Sequence, residues 1–246
     1  TLSLTTEGAL FYEHSHRALA EIDTAESLLD QGKINATGLL RISAPVLFGQ
    51  LYVAPLMVEL AQQHPDLQIE LSLNDRTIDL VEDGFDLAIR IGALPDSHHL
   101  VARKLGDHRM LLCATPQYLE RSSVLHQLDD LQQHTTIAYP YSGQQPKWHL
   151  QDEHKQSYTI KPQAKLLLND MQAIKNTVLS HHGIAWLPDW LIHYELQQGT
   201  LIQVLANFSS VDFPIHVLWP TLPFMPLKTR LAINQLVEKL PQQLYA

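Results

Sequence analysis

Hydrophobic positions change their period several times along the chain, and each change predicts an element. In the first segment Phe11, Ala18 and Ala25 recur every seven residues, and Ser15, Ile22 and Leu29 recur every seven between them. This is the narrow a/d seam of a helix that pairs with a partner helix, with Glu13, Arg17, Glu21 and Glu26 lying off the seam. Thr5 is placed to cap this helix, and the pattern carries it to Gln31, just before Gly32. A stretch bearing Gly, Asn and Thr, Gly32 to Gly38, then breaks the period.

Beyond that break, short alternating runs give way to helical spacings and return. Leu40, Ile42 and Ala44 alternate with Arg41 and Ser43, which predicts a strand. Val53, Leu56, Met57, Leu60 and Ala61 have helical spacing, and Ile69, Leu71 and Leu73 alternate again. A short helix is expected over Thr77 to Asp83, ended by Gly84, before a third strand through Leu87, Ile89 and Ile91. Strands alternating with helices predict parallel strands joined by right-handed crossovers, hence an α/β domain. In the middle of the chain Met110 to Ala114 and Thr136 to Tyr139 read as strands, and polar Tyr141 to Gln163 reads as irregular or as a hairpin. Leu166 to Leu168 is a short strand. Asp170 then caps a helix with Met171, Ile174 and Val178 on one face, ended by Gly183 with His181 and His182 in its last turn. Ile184 to Leu187 is a strand, and Pro188 opens a helix that Gly199 closes. Leu201 to Leu205 and Ile215 to Trp219 complete the strands, and Ile233, Leu236, Val237 and Leu240 mark a final helix.

Composition narrows the class. A chain of 246 residues holds one large domain or two small ones, and 45% hydrophobic with 17% charged residues suits a packed core rather than disorder. The formal net charge of −9 repels phosphates, so the chain by itself is a poor grip for nucleic acid. The single cysteine, Cys113, excludes an intrachain disulfide, and its apolar strand predicts a buried, inert thiol. No apolar run approaches the roughly 20 residues of a membrane span and no signal peptide is visible, so a cytoplasmic location without membrane association is expected. The chain starts at Thr1 rather than Met, as a fragment or a processed protein does.

The search for catalytic motifs finds no G-x-S-x-G, H-E-x-x-H, P-loop or G-x-G-x-x-G, and no enzyme, metal or cofactor is expected. The histidines diverge on helices or sit in adjacent pairs such as His98–His99, which are poor chelates. Two strand-to-helix junctions point instead to ligand binding. Ser43-Ala44-Pro45-Val46-Leu47-Phe48-Gly49 lies at the carboxyl end of the first parallel strand, where open α/β sheets bind ligands and helix N–H groups favour anions. Asn169-Asp170 is the second, where Asp170 serves as a cap and its charge favours neutral or donor groups.

The sequence resembles the LysR-type transcriptional regulators of bacteria over nearly its whole length. Leu2-Ser3-Leu4-Thr5-Thr6-Glu7-Gly8 is similar to the motif that ends the family's winged helix-turn-helix and starts its linker helix. Leu39-Leu40-Arg41-Ile42-Ser43-Ala44-Pro45 with Phe48-Gly49 resembles the opening of its effector domain. Asp75-Arg76, the stretch Asp79 to Gly92, Leu112 to Leu119 and Gly183 to Pro188 add separate matches in the right order.

The resemblance implies a type 2 periplasmic-binding-protein-like fold: two α/β subdomains with an effector cleft between them, preceded by a long N-terminal linker helix. The implied boundaries are 1–37 for the end of the helix-turn-helix and the dimerisation helix, 38–107 plus 218–246 for one subdomain and 108–217 for the other. Met110 to Ala114 and Ile215 to Trp219 would carry the crossings. The implied function is the effector-sensing part of a DNA-binding transcription factor, with a solute-binding protein of a transport system as the alternative on the same fold. The implied effector-binding residues are Ser43, Ala44, Pro45, Val46, Leu47, Phe48, Gly49, Ile91, Gly92, Tyr139, Asn169, Asp170 and Pro188, and the implied dimerisation residues are Phe11, Ala18, Ile22, Ala25 and Leu29. The partners implied are a small-molecule effector, promoter DNA through a helix-turn-helix whose recognition helix is not in this chain, and further copies in a homodimer or homotetramer. Pro45-Val46-Leu47 stands where the family often carries hydroxyls for a carboxylate, so the ligand class spans an organic acid and a more apolar metabolite. A Gly49→Trp substitution is expected to block the cleft and leave the fold intact.

Overall fold

The computed structural model describes residues 5–8, 10–12, 14–15, 35–76, 78–140 and 145–244. At the N-terminus residues 6–8, 10–12 and 14–15 are helical, and Thr5 Oγ1 accepts the Gly8 N–H at 3.0 Å, so Thr5 is the cap its position predicts. Phe11, the first seam residue, is 76% exposed. Ala18, Ile22, Ala25 and Leu29 lie outside the described residues.

The strands are β1 (Gly38–Ala44), β2 (Leu67–Leu73), β3 (Leu87–Ile91), β4 (Leu100–His108), β5 (Met110–Ala114), β6 (Thr136–Ala138), β7 (Trp148–Gln151), β8 (Ser157–Ile160), β9 (Ala164–Leu167), β10 (Ile184–Pro188), β11 (Ile202–Gln203), β12 (Ser209–Ser210) and β13 (Phe213–Pro220). The principal helices are α1 (Ala54–Gln63), α2 (Pro116–Glu120), α3 (Met171–Leu179), α4 (Asp189–Gln197) and α5 (Leu227–Gln243). Two compact units form. The first comprises Thr1–Arg90, Leu94–Leu105 and His216–Gln243; the second comprises Ile91–Ala93, Gly106–Ile215 and Leu244–Ala246. Apart from the short segments Ile91–Ala93 and Leu244–Ala246, the chain changes unit within β4 and again within β13, the change in β4 lying upstream of the expected crossing strand Met110 to Ala114.

The first unit is built on a five-stranded sheet in the order β2-β1-β3-β13-β4. β1 pairs in parallel with β2 from Gly38↔Leu67 to Ala44↔Leu73, and with β3 through Ile42↔Leu87 and Ser43↔Ala88. Leu40, Ile42, Ser43 and Ala44 are all buried, as in a parallel strand covered on both faces. The connection from β1 to β2 starts as α-helix over Val46–Phe48, widens to a π-helical turn over Gly49–Val53, and continues into α1, which buries Leu56, Met57 and Leu60. α5 packs on α1, with Gln235 Nε2 donating to the Leu56 carbonyl at 2.8 Å and Lys239 pairing with Glu59, and α5 also buries Ile233, Leu236 and Leu240.

Two readings of this region are corrected. No helix forms over the described part of Thr77–Asp83, which is a turn. Asp79 Oδ1 accepts the N–H groups of Val81 and Glu82 at 2.9 and 3.0 Å, and Asp83 Oδ2 accepts that of Asp79 at 3.1 Å. These side-chain bonds offer the backbone an alternative to a helical ladder, and Gly84 at φ 67° closes the turn. Nor would Gly49→Trp leave the fold intact. Gly49 is buried, and a Cβ there would lie 2.3 Å from Leu73 Cδ2 and 3.1 Å from Ala44 Cβ, so the glycine is where the helix meets the sheet.

The second unit has a mixed five-stranded sheet, β11-β5-β10-β6-β9, and a small antiparallel sheet, β12-β7-β8. β10 runs antiparallel to β5 and parallel to β6, and β6 runs parallel to β9. The polar middle of the chain resolves into the β7–β8 hairpin, Trp148↔Ile160 to Gln151↔Ser157, with Trp148 and Leu150 buried in the core. Cys113 is fully buried, and burial pushes its thiol up to about 12, so it is the inert residue its strand predicts. Asp170 caps α3, its Oδ1 accepting the Ala173 N–H at 2.6 Å. That helix ends at Leu179, earlier than expected, so His181 and His182 lie beyond it; His181 takes the left-handed position at φ 62°. Its Nδ1 lies 2.9 Å from Thr115 Oγ1, and Arg121 donates to its carbonyl.

Candidate functional site

In the first unit the carboxyl ends of β1, β2 and β3 lie side by side, because the three strands are parallel and in register. Ser43 and Ala44 are fully buried at the end of β1. Pro45, Val46 and Leu47 are half-buried at the turn, and Phe48 and Gly49 are buried beneath it. Two of the turn's amides are engaged within the protein: the Val46 N–H donates to Asp75 Oδ1 at 3.0 Å and the Gly49 N–H to the Pro45 carbonyl at 2.7 Å. Asp75 thus already holds an anionic group at this helix start.

The polar capacity of this edge resides in side chains. Ser43 Oγ, Asn74 Oδ1 and Arg90 Nη2 are buried and make no hydrogen bond. They are also on one face. Ser43 sits opposite Ser72 on β2 and Ala88 on β3, and side chains two residues apart along a strand share a face. Asn74 and Arg90 are two residues beyond Ser72 and Ala88, and the ladder reaches Asn74, whose N–H donates to the Ala44 carbonyl at 3.0 Å. Buried polar groups without partners are scarce in folded proteins, so three on one sheet edge mark a place shaped for something other than packing. Burial lowers the affinity of the Arg90 guanidinium for its proton. It remains a cation nonetheless, since arginine stays protonated in proteins.

Sequence reasoning named Ser43 but passed over Asn74 and Arg90 as site residues. The signal was present in Leu87-Ala88-Ile89-Arg90-Ile91, where one arginine interrupts an apolar run that periodicity reads only as a core strand.

In the second unit Tyr139, Asn169, Asp170 and Pro188 follow or end the parallel strands β6, β9 and β10, so the fold gathers them at that sheet's carboxyl edge. Tyr139 is half-buried, Asn169 and Asp170 are exposed, and Pro188 is buried. Ile91 and Gly92 also belong to this unit; Gly92 adopts φ 101° and donates its N–H to the Pro214 carbonyl at 2.8 Å. Here the buried side-chain atoms without partners, such as Thr136 Oγ1 and Trp186 Nε1, come from other positions. A hollow of about 350 Å³ in this unit is lined by Leu119, Ser122, Val124 and Leu205 among others and includes none of the candidate effector-binding residues. Among the described residues no three His, Cys, Asp or Glu side chains gather as a metal site would require, and no helix is long and apolar enough to cross a membrane.

Compared with known proteins, residues 34–241 match the LysR substrate binding domain family. An uncharacterized HTH-type transcriptional regulator of Haemophilus influenzae is 34% identical over 231 residues, 94% of this chain and 80% of that protein. The full-length structure of AphB, the Vibrio cholerae virulence activator and a member of the LTTR protein family, matches with a TM-score of 0.76 at 26% identity, covering 98% of this chain and 81% of that one. The structure of CrgA, a LysR-type transcriptional regulator from Neisseria meningitidis, matches with a TM-score of 0.70 at 25% identity, covering all of this chain and 82% of that one.

Proposed function

Because the chain belongs to the LysR family of HTH-type transcriptional regulators, we propose that it senses a small molecule with the carboxyl edges of its parallel strands and passes that state to a promoter-reading head. Members of this family bind effectors and promoter DNA and form oligomers, and the relatives found are regulators rather than enzymes. In this reading 38–107 plus 218–246 and 108–217 are the two effector subdomains. Ser43 to Gly49 contribute from the first, and Tyr139, Asn169, Asp170 and Pro188 from the second, together with Ile91 and Gly92.

The observation that carries the reading is the cluster of unpartnered buried polar atoms where β1, β2 and β3 end. A ligand that satisfies them gains interactions that the rest of the fold does not already make. It can act as a signal only through a difference in affinity between two states of the regulator, with each 1.4 kcal/mol of difference shifting their ratio about tenfold. A thermal-unfolding screen of small metabolites on this chain tests the reading. A compound at 100 times its dissociation constant adds about 2.7 kcal/mol, or roughly 5–10 °C for a chain of this size. At least one compound is expected to raise the midpoint saturably, and a broad library without a single binder contradicts effector sensing.

A further inference from the structure

We propose that Lys175 and Glu195 are positioning residues for the second unit's share of the effector site: their ion pair fixes where α3 presents Asn169 and Asp170 relative to Pro188 at the head of α4. This proposal rests on the effector-sensing reading above and names residues behind the edge rather than on it. Asp170 is locked to α3, since its Oδ1 accepts the Ala173 N–H at 2.6 Å and its carbonyl accepts the Ile174 N–H at 3.1 Å. The head of α4 is pinned elsewhere. The Asp189 N–H donates to the Arg109 carbonyl at 2.8 Å, and Asp189 Oδ2 accepts the Arg109 N–H at 3.0 Å, which ties Pro188 and α4 to the chain entering β5. Where α3 stands relative to that fixed point depends on what joins the two helices.

α3 and α4 each pack on β10 rather than broadly on each other. Lys175 crosses from α3 to α4, its Nζ lying 2.6 Å from Glu195 Oε1 and donating to the Leu191 carbonyl at 3.1 Å. Glu195 is itself held, its carbonyl accepting the Leu201 N–H at 3.1 Å and the Thr200 hydroxyl at 3.2 Å. Lys175 is about one and a half helical turns behind Asp170, and Glu195 about two turns behind Pro188, so a shift at the pair reaches the edge. Cohesion alone does not account for the pair. Both side chains are mostly buried, and taking two charges out of water costs so much that apolar residues of similar volume are often as stable or more so. Glu195 Oε2 adds to that cost, being buried without a hydrogen-bond partner. What the charges supply and an apolar pair lacks is direction: Nζ meets one carboxylate and one carbonyl together, which selects one placement of α3 on α4.

Amide hydrogen exchange on the purified chain tests this without a ligand, comparing the unaltered chain with Lys175→Met/Glu195→Leu and with Glu195→Gln. Loss of the pair is expected to speed exchange at the Ala173 and Ile174 amides on the order of 10-fold in the double variant and about 3-fold in Glu195→Gln, with the Asp189 amide unchanged in both. Glu195→Gln keeps the size of the side chain and an acceptor, so it decides the matter if the double variant does not fold. Unaltered exchange at Ala173 and Ile174 in a folded variant, or a rise of equal size at Asp189, makes the pair a source of cohesion only and overturns the proposal. The second readout is affinity. Each compound that raises the unfolding midpoint in the metabolite screen is expected to bind the double variant on the order of tenfold more weakly, and Glu195→Gln about threefold, by calorimetric titration. Unchanged affinity overturns the link between the pair and the effector site while leaving effector sensing in place. A screen without any binder instead contradicts effector sensing itself, and this proposal falls with it whatever the exchange rates show.

Discussion

At the scale of single residues, burial governs both the candidate site and the pH response. His108 packs against the Phe213 ring at 5.3 Å between centres and meets the Trp190 ring edge-on at 6.3 Å. Burial holds its imidazole below the usual histidine value, although Asp189, the Arg109 carbonyl and Asp107 pull the other way. A group whose folded value is depressed binds its proton more readily in the unfolded chain, so its contribution to stability is lost as the pH falls below about 6.5, the unperturbed value. The chain is therefore expected to lose stability between about pH 7.5 and about pH 5.5, and His108→Phe to lose measurably less over that window, as read from urea midpoints. Equal losses in the two proteins would show that other groups set the acid response. Gly183 makes the same point sterically: its φ is 151° and a Cβ would lie 2.4 Å from the Thr135 carbonyl oxygen, so the glycine that sequence assigns to a helix end is required by a backbone close approach.

At the scale of elements, ion pairing joins the helices of the second unit. Lys175 on α3 meets Glu195 on α4 at 2.6 Å and also donates to the Leu191 carbonyl at 3.1 Å, with the two side chains only 15% and 13% exposed. Glu195 Oε2 has no hydrogen-bond partner, so the carboxylate relies on this lysine. Lys175→Met should destabilise the chain by about 3–5 kcal/mol, because it strands a buried charge, and Lys175→Met/Glu195→Leu should recover most of that loss in equilibrium unfolding. If the double variant is no more stable than the single one, packing rather than charge holds the helices. Elements with a strong period were legible in the sequence: β1, β2, α1, α3 and α5 follow from the spacing of Leu40, Ile42, Ile69, Leu56, Ile174 and Leu236. β4 was not, because Arg103, Lys104 and Asp107 interrupt its apolar positions and only Leu105 and His108 are buried. The turn after β2 was misread because Asp79 and Asp83 compete for backbone donors, a preference that hydrophobic spacing does not record.

At the scale of the whole molecule, the chain is two α/β units, each with a set of parallel strands whose carboxyl ends collect polar or capping residues. The motifs near Ser43 and Asn169 were visible as strand-to-helix junctions. What sequence could not supply was the partnering of each side chain, which separates Arg41, whose guanidinium donates to the Glu70 carboxylate and to the Asp83 and Gly84 carbonyls, from Arg90, whose buried Nη2 has no acceptor. Hydrogen–deuterium exchange on the chain, with and without a saturating compound from the metabolite screen, tests the placement of effector sensing most directly. New protection is expected at Ser43 to Gly49 and at Asn74 and Arg90 in the first unit, and at Tyr139 and Asn169–Asp170 in the second. Protection confined to other segments, such as the hollow bounded by Leu119 and Val124, would contradict the account.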